Sequence, residues 1–410
     1  MRILYLSQYF PPEVGATQTR AYEMAQGLIR AGHQVTVITE VPNHPSGIIP
    51  PEYKGKLYER SDLDGIDVVR VWVKTSPVKN FRTRMAFYLS YMVMAALAGL
   101  VLARGRYDAI YVTSPPLFVG GAALMVSYLR RIPMAFEVRD LWPESAVALG
   151  ELNNPRAIAM ASWLEKRCYQ RASVIVVVTQ GIFDRLQERG YPADKLALIL
   201  NGANTDLFTA QPEAGQAWRE AMGLSGKFVV IYAGIHGIAQ GLDSVLDAAE
   251  QLAGHADIHF LFVGEGPVKA EIVALAHKKN LRNVTFQGEV PRQQMPSLLS
   301  AANVALVPLR RLELFKGALP SKMFDAMACQ RPVILSAEGE AGQVLEQAGA
   351  GVVIPPEDPA ALAGTILELH RNPELCLEYG RRGRTAVENC FSRQAQARQL
   401  VDLLETLGSR

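Results

Sequence analysis

The chain has 410 residues, 49% hydrophobic and 20% charged, enough for two or three domains with a large buried core and no covalent staples. Its 42 Lys and Arg nearly balance 40 Asp and Glu, a net charge of +2, which argues against nucleic acid as a partner and against a disordered polyelectrolyte. The four cysteines (Cys168, Cys329, Cys376, Cys390) form no CxxC pair and the seven histidines no HExxH, so no disulfide framework and no protein-bound catalytic metal or other cofactor are expected, and a reducing compartment fits.

Residues 2–7 read as a buried strand rather than a signal sequence, because Phe10-Pro-Pro cuts the apolar run short. Further strands are predicted at 34–40, 66–73, 108–113, 132–138, 173–178 and 196–200, with helical patterns between most of them. Residues 85–103 are apolar all round and nearly long enough to span a bilayer. From 68 to 107 there are seven basic residues (Arg70, Lys74, Lys79, Arg82, Arg84, Arg104, Arg106) and no acid. Three readings compete here. The leading one is a crossover helix with one face dipping into an anionic membrane surface; the others are a fully buried crossover and a transmembrane helix. The last would put strands 66–73 and 108–113 on opposite sides of a membrane.

The pattern restarts after the turn formers of Asn201-Gly-Ala-Asn-Thr-Asp-Leu-Phe208. Strands are predicted at 227–233, 258–263, 283–287, 302–307, 332–335 and 351–354, with helices at 241–253 and 267–280, and the last helices over about 373–408. Continuous Val/Ile runs separated by helices indicate parallel sheets covered on both faces. The fold class is therefore α/β, with two Rossmann-like doubly wound parallel-sheet domains facing a cleft, 1–205 and 206–389. The C-terminal helix, about 390–410, is a candidate to pack back on the first. In such sheets ligands bind beyond the carboxyl ends of the strands, where helix N-termini favour phosphate.

Four segments carry candidate chemistry. Gly15 lies in the loop after the first strand, and no GxGxxG accompanies it, which weakens any NAD-dependent reading. Glu137-Val-Arg139-Asp140-Leu-Trp142-Pro143-Glu144 puts carboxylates, an arginine and an indole at one strand end; a structural Arg–carboxylate pair is the alternative. Gly234-Ile-His236-Gly237-Ile-Ala-Gln240-Gly241 suggests a phosphate-approach loop, with His236 either an anion donor or a surface histidine. Pro320-Ser321-Lys322-Met-Phe-Asp325 opens a helix. Lys322 at its mouth would pair with a diphosphate, and Asp325 one turn in would accept both hydroxyls of a ribose; a capped surface helix is the alternative.

Together with Asn201-Gly202…Asp206…Phe208, Val263-Gly264-Glu265-Gly266-Pro267 and Arg331-Pro332-Val-Ile, these segments resemble glycosyltransferase family 4, the retaining GT-B glycosyltransferases, over nearly the whole chain. Pro42-Asn-His-Pro-Ser-Gly47 and Ala239-Gln-Gly241 further resemble the bacterial subgroup that builds O-antigen, capsule and colanic-acid-type polysaccharides, which includes proposed N-acetylfucosamine transferases. The resemblance implies an acceptor-binding first domain and a nucleotide-sugar-binding second one. Lys322, Arg139, Asp140 and Glu137 would be the catalytic set. Gly15, Thr17, Gly234, His236, Gly237, Gln240, Gly264, Glu265, Val290, Ser321 and Asp325 would bind the donor. The chain departs from the family at several of these places. A histidine usually precedes Asp-Leu-Trp, where Arg139 stands; two glutamates eight residues apart would fall at Gly317 and Asp325; and His236 and Gln240 replace an arginine and a lysine. Glu313 lies close in sequence to the missing first carboxylate.

The implied activity is metal-independent, retaining transfer of a sugar (an N-acetylated hexosamine or 6-deoxyhexosamine is one candidate) from a nucleotide, with UDP expected. The implied acceptor is a polyprenyl-diphosphate-linked saccharide at the cytoplasmic face of the inner membrane. The enzyme would be peripheral on that anionic surface. A sugar-nucleotide epimerase on the same scaffold and a binding-only protein are the competing readings.

Overall fold

The computed structural model describes residues 1–408 except Val14, His44, Pro45, Lys79 and Glu151. His44 and Pro45 of the Pro42–Gly47 motif, and the Lys79 charge, thus lie outside the described residues. The chain forms two compact units, Met1–Leu200 with Gln394–Arg410, and Asn201–Arg393.

In the first unit, eight strands form one sheet: β1 (Arg2–Leu6), β2 (Gln34–Glu40), β3 (Tyr58–Leu63), β4 (Ile66–Val71), β5 (Ala109–Ser114), β6 (Met134–Val138), β7 (Val174–Val177) and β8 (Leu196–Leu198). Their order is β3-β4-β2-β1-β5-β6-β7-β8. All pairings are parallel except β3 with β4, an antiparallel edge hairpin turned at Asp64-Gly65. β3 is not among the predicted strands, because Tyr58-Glu-Arg-Ser-Asp-Leu has no apolar run; its side chains alternate between exposed and half-buried. Successive residues of β1 feed opposite faces, Leu4 and Leu6 one core and Ile3 and Tyr5 the other, as a pleated strand requires. The second core is closed by helices Ala16–Arg30 and Arg393–Gly408. They approach so closely that a Cβ added at Gly27 would lie 2.3 Å from the Ala397 Cβ.

The apolar stretch forms a crossover between β4 and β5, helix Phe81–Leu97 continued to Leu102 by a π turn. Asn80 and Thr83 cap its start reciprocally. Tyr91, Ala95, Ala96, Ala98 and Gly99 pack inward, and the Tyr91 hydroxyl donates to the Ile38 carbonyl at 2.9 Å. The opposite stripe, Leu89, Val93, Leu97 and Val101, is 40–64% exposed. The fully buried crossover is therefore corrected: one face packs and the other does not. A helix of this length and composition can cross a membrane, but β4 and β5 belong to a single sheet, so spanning would tear it apart.

The second unit is a six-stranded, wholly parallel sheet of β9 (Phe228–Ala233), β10 (Ile258–Val263), β11 (Val284–Gln287), β12 (Val304–Pro308), β13 (Val333–Ser336) and β14 (Gly351–Ile354), in the order β11-β10-β9-β12-β13-β14. The chain winds outward from β9 to β11, then returns to β12 on the other side of β9. This reversal between β9 and β12 is the point where doubly wound sheets take ligands. In the first unit the reversal lies between β1 and β5.

Candidate functional site

Beyond β9 and β10 two glycine loops interlock. Gly234 N–H donates to the Val263 carbonyl at 2.9 Å, His236 N–H to the Glu265 carbonyl at 2.9 Å, and Val268 N–H to the His236 carbonyl at 3.1 Å. Gly264 has φ +132°, and a Cβ there would stand 2.1 Å from the Gly234 carbonyl oxygen. Only glycine suits both that backbone and that contact. A Cβ on Gly234 would lie 2.9 Å from the Lys322 Nζ, so Gly234 leaves room for the ammonium.

Lys322 enters from helix Ser321–Ala328, whose first turn has no side-chain cap. Its Nζ donates to the Tyr232 hydroxyl at 3.0 Å and sits 4.3 Å from the centre of that ring. The Tyr232 hydroxyl in turn donates to the Ile235 carbonyl at 2.5 Å. Among the described residues no carboxylate pairs with Lys322, and burial lowers its pKa to about 8. A desolvated, unpaired ammonium beside open helix N–H groups is ready to receive an anion. Lys322 and Asp325 both line a cavity of about 70 Å³ with Phe208, Ala233, Arg292 and Leu299. Gln240 accepts from Gly237 N–H at 3.2 Å and braces the loop. The Glu265 side chain is half exposed and pairs with Lys269 at 2.6 Å. Val290 is buried, which leaves its backbone as its means of contact.

His236 requires a correction. Its side chain is fully buried against Tyr232, Phe262 and Phe286. Burial, together with the charge of Lys269, lowers its pKa to about 4, so the ring is neutral at neutral pH. Its backbone ties the two loops together; it is not a surface histidine, and its ring keeps both nitrogens buried without a hydrogen-bond partner. Glu313, the neighbour of the missing carboxylate, is exposed and pairs with Lys316.

In the first unit, Gly15 precedes helix Ala16–Arg30, with Thr17 in its first turn. Arg20 of that helix reaches Glu137 at 2.9 Å, with both groups buried, and donates to the Ile199 and Leu200 carbonyls. Tyr111 and Thr113 each donate to the Glu137 carboxylate at 2.6 Å. Burial disfavours the Glu137 charge, but Arg20 and Arg139 outweigh it and hold the carboxyl below its ordinary range. Glu137 is therefore corrected from an acceptor-orienting group to a structural anion, since it has no exposed surface. Asp140 accepts from the Ser145 hydroxyl at 2.8 Å, and burial pushes its carboxyl up. Arg139 follows β6 with its Nε and Nη1 buried and unbonded. The structure thus gathers Gly234, Gly237, Gln240, Gly264, Glu265, Ser321, Lys322 and Asp325 around one sheet end, and Glu137, Arg139 and Asp140 around another. Sequence reasoning missed Arg20 and Tyr232, which lie on a helix and a strand that read as ordinary packing elements.

Among the described residues no group of three or more His, Cys, Asp or Glu is placed to hold a metal ion. Two domain families match the chain: "Glycosyl transferase 4-like domain" over residues 15–202 and "Glycosyl transferases group 1" over residues 216–386. WcaI of Escherichia coli (strain K12), named for a colanic acid biosynthesis glycosyl transferase, is 25% identical over 93% of this chain and 96% of its own. Sucrose-phosphate synthase from Thermosynechococcus elongatus superposes with TM-score 0.80 at 21% identity, over 100% of this chain and 99% of its own. Alr3699/HepE of Anabaena, solved with UDP and glucose, gives TM-score 0.74 at 17% identity, over 99% and 100%. The two matching families, which between them span most of the chain, and the two doubly wound sheets show that this chain belongs to glycosyltransferase family 4, with the GT-B fold.

Proposed function

We propose that this transferase moves a sugar from a UDP-linked donor, with retention of configuration, to a lipid-linked saccharide at the cytoplasmic face of the inner membrane. The observation that carries the reading is Lys322, a desolvated ammonium with no carboxylate partner among the described residues, set over Gly234 at the reversal of the second sheet. UDP as carrier is supported by the Anabaena neighbour, solved with UDP and glucose, and a polysaccharide acceptor by the naming of the E. coli relative.

The acceptor oxygen attacks the anomeric carbon as the bond to the diphosphate oxygen breaks on the same face. The acceptor proton passes to the departing diphosphate. Charge builds on that group, and Lys322 with the open N–H groups of helix Ser321–Ala328 stabilises it. Asp325, one turn along, offers its carboxylate to the ribose hydroxyls. The reaction in this form needs neither a covalent nucleophile nor a metal ion, so EDTA leaves turnover unchanged. The exposed stripe Leu89, Val93, Leu97 and Val101, flanked by Arg82, Arg84, Arg104 and Arg106, suits an anionic bilayer surface. An N-acetylated hexosamine or 6-deoxyhexosamine is the donor sugar to try first.

The test is turnover of UDP-sugars on polyprenyl-diphosphate-linked saccharides by wild type and Lys322→Met. Removing one preorganised charge of this kind lowers turnover about 100-fold or more. Near-wild-type turnover in the variant overturns the assignment of Lys322. UDP binding without transfer to any acceptor would favour the binding-only reading.

A further inference from the structure

The hydrogen bonds around the end of β6 do not close: Arg139 keeps buried N–H groups without an acceptor. Glu137 is one buried carboxylate facing two guanidinium groups, Arg20 and Arg139. Its oxygens already accept from Arg20, Tyr111 and Thr113, and Arg20 also donates to the Ile199 and Leu200 carbonyls. Arg20 and Glu137 thus form a closed neutral pair. Arg139 is left over, fastened by its backbone N–H to the Ser114 carbonyl at 3.0 Å, with Nε and Nη1 buried and unbonded. Tyr5 and Tyr111 lie close to it, the neighbouring Asp140 carboxylate attracts it, and Arg20 repels it. Asp140 accepts from the Ser145 hydroxyl and takes no hydrogen bond from the buried Nε and Nη1 of Arg139. A guanidinium does not shed its charge at physiological pH. An oxyanion meets such N–H groups with charge-assisted bonds, stronger than those to water, and the planar fork matches two of its oxygens at once.

We infer that Arg139 forms an oxyanion subsite of the first unit, taking a phosphate or carboxylate oxygen of a substrate at the carboxyl end of β6. This rests on the transferase reading, in which donor and acceptor both carry a diphosphate. Either molecule can supply the oxygen, and the two sources are separable by experiment.

The probe is inorganic pyrophosphate, titrated calorimetrically into the full chain. In a Lys322→Met background, which removes the anion site of the second unit, pyrophosphate still binds; adding Arg139→Met weakens it at least tenfold, and Arg139→Lys falls between. Arg139→Met alone unfolds no earlier than wild type, because burial disfavours the Arg139 charge by more than Glu137 favours it. Methylguanidinium restores pyrophosphate binding to Arg139→Ala. If Arg139→Met weakens UDP, the oxygen is the donor's; if it weakens farnesyl diphosphate, the acceptor's. Equal pyrophosphate affinity with and without Arg139 overturns the subsite, as does an early-unfolding Arg139→Met whose Arg139→Ala counterpart methylguanidinium does not rescue. Failure of the transferase reading registers separately, as unchanged turnover in Lys322→Met.

Discussion

At the end of β6 the first unit buries Glu137 and Arg20 as an interlocked pair with Arg139 beside them, whereas beyond β9 the second unit sets glycines around a single lysine. Both places lie at the carboxyl edge of a doubly wound sheet, so topology alone does not decide what such an edge does. In the first unit side chains fill it, and Glu137 is held by donors from Arg20, Tyr111 and Thr113. In the second, the lack of side chains lets backbone N–H groups and one ammonium face a ligand. Buried polar networks specify structure when satisfied and are costly when broken; open glycine loops add little to stability and admit phosphate.

The difference can be broken at several points. The largest stability effect is expected from Glu137→Gln, which leaves the buried Arg20 guanidinium without its carboxylate; removing one partner of a buried pair costs about 3–5 kcal/mol. Urea denaturation should show Arg20→Met to be milder, because the Arg139 charge still stands by Glu137. Next comes Gly264→Ala, which meets the Gly234 carbonyl at 2.1 Å from a backbone of positive φ. The clash costs about 1–3 kcal/mol, and the loss should appear in UDP affinity as well as in melting temperature.

A smaller effect is expected at Glu40, at the end of β2. Its carboxyl is buried, accepts from Gln8 and Asn43, and is pushed well above its ordinary range first by burial and then by Glu13. The folded state therefore binds this proton more tightly than the unfolded one. Stability falls as pH rises from the ordinary glutamate pKa to the raised one, then stays level. Glu40→Gln should abolish this slope and melt later than wild type at pH 8. An unchanged slope would mean Glu40 is ionised throughout. The smallest effect on folding is expected from Val93→Ser with Leu97→Ser on the exposed stripe, within about 0.5 kcal/mol. The same pair should reduce cosedimentation with anionic vesicles several-fold and leave it unchanged with neutral ones.

Much of the fold was legible because buried parallel strands are short apolar runs: Val35–Ile38, Val174–Val177 and Phe228–Tyr232 need no partner to be recognised. The edge strand β3 escaped, since its residues face solvent and only the Asp64-Gly65 turn marks it. Lys322 and its glycine loops were visible as local motifs. The Arg20–Glu137 pair was not, because its members lie 117 positions apart and are joined only by tertiary folding. His236, set between Gly234 and Gly237, reads as a loop residue. Its burial depends on Phe262 and Phe286 of two other strands.

The most direct test of the central claim is the affinity for UDP measured on both sides of pH 8, in wild type and Lys322→Met. The free enzyme's Lys322 titrates at about 8 because burial disfavours its charge, and only the ammonium holds the diphosphate. Wild-type affinity should therefore be level below that pH and fall about tenfold per unit above it, while Lys322→Met binds weakly with a flat profile. A wild-type profile that stays level through pH 8, or a variant that binds UDP as tightly as wild type, would contradict the placing of the donor diphosphate on Lys322.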